Sequence, residues 1–487
     1  MRRNDGYKWF ALSATSLGTL LSVMTGSMLM IALPNVAKDL SASMGLVVWV
    51  IMSYMLSITI LVPAIGRIAD IAGRKRLYVW GFILFTLTSL LAALARNGVQ
   101  LLIVRILQSV GGSLIIANST AIVADAFPKR ELGKALGINS MIIAVGSAIA
   151  PLLGGLLTER FGWRSIFFIN VPLGLIGTVW AGIQIKETVT LPKGQRFDYP
   201  GAALFCSGLL LLLMALSFGG MSGWGSPAIL IEFACSIVLL AFFFLVEAKS
   251  KDPLFDLELF KSRILAFAYL STFLNGVARG ALIFLLIFYL QGIRGMDPLL
   301  AGVYLTPLAV AMMIVAPISG ALADKHGSRY LSTVGLIISA IGLLGYMWIR
   351  PDTQLGEIVL WQVLMGIGSG LFNSPNSNTI MGAVPAGRRG IAAGTRTMMM
   401  NAGMVVSIAM AFAIISSGVT PEAMSALFAG TQVGSQGIAV NVFMADVRLA
   451  FLISFCISIA AAVISFMRGP EPRWAAEVGQ SPTSEDA

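Results

Sequence analysis

The apolar residues of this chain gather into long runs, separated by short polar segments rich in Gly, Arg and Lys. A run of about 20 residues, rising about 1.5 Å per residue as a helix, crosses the hydrocarbon core of a bilayer. Fourteen runs have that length, near 10–33, 47–66, 77–96, 100–124, 134–158, 164–186, 200–218, 228–247, 264–290, 299–320, 331–349, 357–383, 392–416 and 446–467. The strands of a membrane barrel would be shorter and would alternate, so the pattern predicts an all-α polytopic membrane protein.

Composition excludes the soluble alternative. Of 487 residues, 57% are hydrophobic and 11% charged, against roughly a quarter charged in soluble chains. The net charge of +10 would suit nucleic acid only if the basic residues shared one face. Their placement says otherwise. With fourteen spans both termini share a side, and 24 of the 33 Lys and Arg fall in the tails and alternate loops of that side, against seven on the other. Positive loops face the cytoplasm, so both termini are expected there, with the protein in the cell membrane and no nucleic-acid partner. The remaining two, Arg105 and Arg279, fall inside spans. The first apolar run is too long for a cleavable signal and reads as a signal anchor. Cys206, Cys235 and Cys456 stand in apolar spans without metal-like spacing, and His326 is the only histidine. Neither a metal site nor a cofactor is expected.

The chain also repeats itself. Pro63, Gly66, Ala69, Asp70 and Gly73 recur 254 residues later as Pro317, Gly320, Ala323, Asp324 and Gly327; Pro128, Gly133, Gly137 and Met141 recur 257 residues later as Pro385, Gly390, Gly394 and Met398. Six spans with their loops fill only about 180 residues, so the offset leaves room for the pair at 200–247 between the copies. The expected domains are a six-helix bundle over 1–186, a two-helix insertion with its connection over 187–263, a second six-helix bundle over 264–470 and a disordered tail over 471–487.

Two parallel six-helix halves are the arrangement of major facilitator transporters, and particular residues carry the resemblance. Gly66-Arg67-Ile68-Ala69-Asp70-Ile71-Ala72-Gly73-Arg74-Lys75-Arg76 resembles the superfamily's signature loop. Arg105-Ile106-Leu107-Gln108 with Gly111 and Gly112 resembles its second motif, and Gly146, Ala150-Pro151 and Gly154-Gly155 the motif of its antiporters. Trp163-Arg164 with Phe167, Ile169-Asn170, Pro172 and Gly174 is similar to the fourteen-helix drug:proton antiporter branch. The resemblance runs from about Leu20 to Met467. It implies the major facilitator fold with helices arranged 6+2+6, a monomer in the lipid bilayer, and transport of a small-molecule substrate coupled to protons.

Each motif carries a physical expectation. Gly66, Asp70, Gly73, Arg74 and Lys75, with Gly320, Asp324 and Gly327 of the second copy, suit a tight turn and a reversible electrostatic latch, while the basic residues also anchor topology. Gly146, Pro151, Gly154 and Gly155 give helix five a missing donor and a close-packing groove, hence a pivot. A charge inside the bilayer is expensive and by default functional. The resemblance implicates Arg105 in coupling substrate to protons; in the alternative it satisfies helix carbonyls or snorkels outward.

The branch reads Leu-Asp nine residues before the Pro of helix one, where this chain has Met24-Thr25 before Pro34. The pseudo-symmetric position of Thr25 holds Arg279, and that of Arg105 holds Gln362. A cavity with two arginines and no central carboxylate favours anionic or zwitterionic amphiphiles, unless Arg279 pairs with a neighbour such as Glu232. Asn118, Asn139, Asn275, Asn373, Asn376, Asn401 and Tyr54 complete the expected cavity, with Met398, Met399, Met400 and Met404 as adaptable apolar surface.

The expected function is export of amphipathic organic compounds, a multidrug-efflux type of proton antiport by alternating access about a midplane cavity. An exporter or exchanger of anionic or zwitterionic metabolites, lacking the usual proton carrier, is the alternative. A membrane enzyme or sensor is remote, because the sequence offers no catalytic cluster and no soluble domain.

Overall fold

The computed structural model describes residues 5–127, 132–187, 198–223, 225–247, 258–384, 389–418 and 437–469. Among them every regular element is a helix, and fourteen are long and apolar enough to cross a membrane. They are α1 Asp5–Asp39, α2 Met44–Ala72, α3 Arg74–Ala93, α4 Gly98–Ala126, α5 Leu132–Phe161, α6 in two pieces Ser165–Phe168 and Asn170–Gln184, α7 Tyr199–Ser222 and α8 Pro227–Glu247. After the short helix Glu258–Lys261 come α9, starting as Arg263–Arg279, then α10 Pro298–His326, α11 Ser328–Tyr346, α12 Leu355–Gly382, α13 Arg389–Gly418 and α14 Gly437–Met467.

Side-chain caps mark several helix starts. Asn97 accepts from Gln100 N at 2.8 Å to open α4, Asp198 from Gly201 N at 2.9 Å to open α7, and Asp297 from Leu300 N at 2.7 Å to open α10. Each satisfies a donor that a first helical turn leaves free. The turns α2–α3 and α10–α11 are built alike. Gly73, at φ +102°, donates to Ala69 O at 3.0 Å, and Gly327, at φ +80°, donates to Ala323 O at 2.9 Å. Both lie where only Gly is unstrained, so the sequence repeat is also a repeat of backbone geometry.

Packing repeats as well. In the first half α1 packs on α5, and α2 and α3 pack on α4; in the second α9 packs on α13, and α10 and α11 on α12. The halves meet through α5 against α10 and through α2 against α13, which are the same two positions exchanged. The inserted pair sits outside this frame. α7 lies against α2, α13 and α8, and Trp49 of α2 stacks on Phe218 of α7 at 4.5 Å between centroids.

The buried apolar residues divide unevenly along the bundle. One cluster joins the halves, with Met28, Leu33, Val47 and Ile51 from the first and Leu286, Leu290, Ile408 and Phe412 from the second. Toward the end that carries the start of α1, the halves keep separate clusters: Leu12, Tyr78 and Ile122 in one, and Leu265, Tyr269 and Ile380 in the other. Among the described residues the apolar core is shared by the halves at one end, the closed end, and largely divided between them at the other, the parted end.

Three boundaries differ from those read in the sequence. α1 continues past Pro34 to Asp39; the proline removes one donor, but the ladder resumes, with Val36 O accepting from Leu40 N at 3.0 Å. α14 begins at Gly437, nine residues before the run read at 446–467, so Asp446 lies well inside the helix and its span and not at its start. α9 is interrupted after Arg279, resumes as Leu282–Ile287 and ends in a π-helical turn, Phe288–Ile293. Most of 249–263, the middle of 417–446 and the tail beyond 469 lie outside the described residues.

Candidate functional site

The closed end is made by backbones in contact. Gly154 faces α1, where an added Cβ would lie 2.9 Å from the Met28 Cα. Gly155 faces α10, where it would lie 2.4 Å from the Pro298 carbonyl oxygen and 2.8 Å from the Leu299 Cα. Gly302 of α10 returns the contact, its added Cβ meeting the Pro151 carbonyl at 2.4 Å. Gly146 touches only the side chains of Leu20, Met24 and Val23. Two hydrogen bonds cross the same boundary: Gln291 Nε2 donates to Ile31 O at 3.1 Å, and Thr306 Oγ1 to Ala148 O at 3.5 Å. Gly155 and Pro151 of helix five therefore stand on the seam between halves, while Gly146 and Gly154 seat the same helix against α1.

Arg105 lies wholly inside the first half. Its Nη1 donates to Gln108 Oε1 at 2.6 Å, its Nε to Val50 O at 3.4 Å, and its guanidinium stacks 4.0 Å from the Tyr54 ring centroid. Gln108 Nε2 donates onward to Ser89 Oγ at 2.7 Å. One cation thus ties α4 to α2 and α3, while its Nη2 has no partner among the described residues. Arg105 is 0% exposed and Tyr54 3%, so neither lines the parted region in this arrangement.

Thr25 is equally enclosed, bonding Leu21 O at 2.8 Å. Gln362 donates to Tyr304 O, Asn118 to Leu114 O at 2.7 Å, and both are buried, as are Asn139 and Asn275. Asn376 is 0% exposed, donates to Thr272 Oγ1 at 2.8 Å and to Ala268 O at 3.2 Å, and accepts from Arg468 Nη1 at 3.2 Å. Arg279, Asn373 and Asn401 remain half-buried. Arg279 has no hydrogen-bond or ion-pair partner among the described residues, and Glu232 does not supply one. The alternative, a pairing with that acid, is not formed among the described residues.

Two more basic residues join Arg105 and Arg279 inside the protein. Arg396, counted with a loop, is half-buried within the span Ile391–Ile415 and donates weakly to Asn373 Oδ1 at 3.5 Å. Arg468, counted with the tail, is 1% exposed. Removing both leaves the charge asymmetry between the two ends standing.

At the signature loop the Glu187 carboxylate accepts from the backbone N–H of Arg74 at 2.9 Å and of Lys75 at 3.2 Å, capping α3 where its amides are free. Arg74 forms an ion pair with Asp125 at the end of α4, and the two side chains are 15% and 18% exposed. Neither acid was singled out from sequence as a partner of this loop, because 113 residues separate Glu187 from Arg74. Gly66 has open space beside it, and Gly320 faces Ser374 Oγ. The side chains of Asp70 and Asp324 lie outside the described residues. A double-mutant cycle of Arg74→Ala and Asp125→Ala, read by thermal melts in detergent, is expected to give a coupling of about 1–3 kcal/mol, between exposed and buried pairs. A coupling near zero would remove the pair from any account of this turn.

Residues 15–408 and 268–484 match the Major Facilitator Superfamily. The chain is 36% identical over 386 residues to the riboflavin transporter RibZ of Clostridioides difficile (strain 630), covering 79% of this chain and 83% of that protein. It is 30% identical over 432 residues to multidrug resistance protein 3 of Bacillus subtilis (strain 168), covering 88% and 83%. Among solved structures, the POT family transporter PepTSo superposes with a TM-score of 0.66 over 94% of this chain and 97% of that one, at 16% identity. That last likeness concerns the fold alone.

Proposed function

The chain belongs to the Major Facilitator Superfamily, and from that premise we propose that it exports amphipathic organic compounds by alternating access, in exchange for protons. It is a multi-pass membrane transporter for small molecules and not an enzyme. In the proposed cycle the halves 1–186 and 264–470 rock about a shared cavity, with the insertion 187–263 riding on the α2–α13 seam. The observation that carries this reading is an apolar core shared by the halves at one end and largely divided between them at the other, which supports one of the two end states that alternating access requires. The parted end carries the basic loops, so the reading places it and both termini in the cytoplasm of a cell-membrane monomer.

Relatives named as multidrug resistance and export proteins support a broad cargo, and the match to a riboflavin transporter supports a planar organic one. The close seam of Gly155 with α10 is the contact that opening the other end would have to break. The capped turn at Gly73, with Arg74 paired to Asp125, is the latch that would hold the first half's cytoplasmic end. For proton coupling, Asp446 and Glu232 are acids within spans that each bury a carboxylate oxygen without a partner among the described residues.

Inverted membrane vesicles from a pump-deficient host test the whole reading. Dye accumulation driven by an imposed proton gradient, and abolished by a protonophore, is the expected result. Accumulation indifferent to the protonophore would leave the exporter and remove the antiport.

A further inference from the structure

An arginine in the middle of a bilayer normally has a carboxylate, a carbonyl or an aromatic face to hold it. Arg105 has two of these; Arg279 has none among the described residues. Arg279 ends the first piece of α9, sixteen residues into the span Arg263–Ile293, hence about 24 Å from its start. It keeps accessible surface although protein surrounds it, its Nε is buried without a partner, and no acid among the described residues pairs with it. One turn earlier on the same face, Asn275 is 3% exposed and its Oδ1 also has no partner.

A second cation stands on the neighbouring helix. Tyr269 donates to Ala392 O, and Gly276 and Gly280 pack against the backbone at Met400 and Met404, so α9 and α13 run side by side with a fixed register. That register sets Arg279 level with about residue 404 and puts Arg396 about eight residues, or about 12 Å, nearer the parted end. Arg396 is half-buried, its Nε is unpartnered, and its contacts are the long bond to Asn373 and the nearby Tyr269 phenol, with no acid among them. Two guanidinium groups without carboxylate partners among the described residues, one near the mouth and one at the midplane, form a graded attraction for negative charge. Each offers planar donors that fit carboxylate, sulfonate or phosphate oxygens.

We infer that the second half contains an anion site, in which Arg396 meets an acidic group entering from the parted end and Arg279 holds it at the midplane. The preferred cargo is then an organic acid with an apolar body, which narrows the exporter reading above and rests on it. The closed first-half network of Arg105 has no part in this preference, since its cation is already stacked and bonded.

Two xanthene dyes of similar shape and opposite charge, carboxyfluorescein and rhodamine 123, test the inference. Binding to the purified full-length protein is measured by fluorescence anisotropy, and uptake is measured in inverted vesicles. The wild type is expected to bind carboxyfluorescein more tightly than rhodamine 123. Arg279→Gln is expected to weaken the anion at least tenfold while leaving rhodamine 123 within about twofold, and Arg279→Lys to restore part of the loss. Arg396→Gln is expected to raise the anion's KM with little change in its maximal rate. Equal losses for both dyes, or an anion affinity indifferent to Arg279→Gln, overturn the site. If the wild type moves neither dye yet binds the anion through Arg279, the site stands and the export reading falls.

Discussion

Replacing Gly155 with Val is expected to cut transport at least tenfold without lowering the amount of protein in the membrane. The added Cβ would lie 2.4 Å from the Pro298 carbonyl oxygen, which is backbone in the capped first turn of α10 and cannot swing aside. The helices must separate, and with them the closed end. Overpacking of this kind costs about 1–3 kcal/mol, which shifts the balance between closed and open forms by roughly tenfold to a hundredfold. Gly302→Ala strikes the same contact from the other side, through the Pro151 carbonyl, and is expected to act alike. Gly146→Ala is the control: its nearest neighbour is the tip of the Leu20 side chain, which can turn away, so near-normal transport is expected. A single cysteine at position 306, in a background with Cys206, Cys235 and Cys456 replaced by Ser, reports the opening. It should resist an impermeant maleimide in the parent and react in the Gly155→Val protein. Normal transport together with protection at position 306 would end this account of the seam.

The membrane spans were legible because hydrocarbon imposes a length and an apolarity that no tertiary contact can disguise. The paired turns were legible for a related reason: Gly73 and Gly327 occupy backbone conformations that admit few other residues. Charges near span ends were less so. Arg396 stands five residues beyond the start of its span and Arg468 directly after α14, and sequence alone gives such residues to the water phase. What draws Arg468 inside is Asn376, 92 residues away, itself fixed by Thr272. Pairings across that separation leave no local pattern. The asparagines are hard to read for the same cause, because an amide in a span predicts a polar contact without saying whether that contact is a substrate or another helix. Which end of the bundle is closed was not legible at all, since the same residues must serve both end states.

Arg105 yields the second large effect, of a different kind from that of Arg279. Its removal as Arg105→Ala strips the Tyr54 face of its cation, leaves Gln108 Oε1 without its donor and empties a site that is 0% exposed. A desolvated cation–π contact and a charged hydrogen bond together are worth on the order of 3 kcal/mol, so the melting temperature should fall by several degrees. Arg105→Lys keeps the charge but lacks the flat guanidinium that lies on Tyr54 while its edge reaches Gln108 and the Val50 carbonyl, and rescue is not expected. Gln108→Ala should reproduce much of the defect, because it unpairs both Arg105 Nη1 and Ser89. Transport of carboxyfluorescein and rhodamine 123 should drop together, at least tenfold, for each of these variants. The network ties α2, α3 and α4 to one another, and a brace of that kind has no reason to discriminate cargo by charge. A loss confined to one dye, or an Arg105→Lys protein that transports normally, would move Arg105 out of the scaffold and into the path of the substrate.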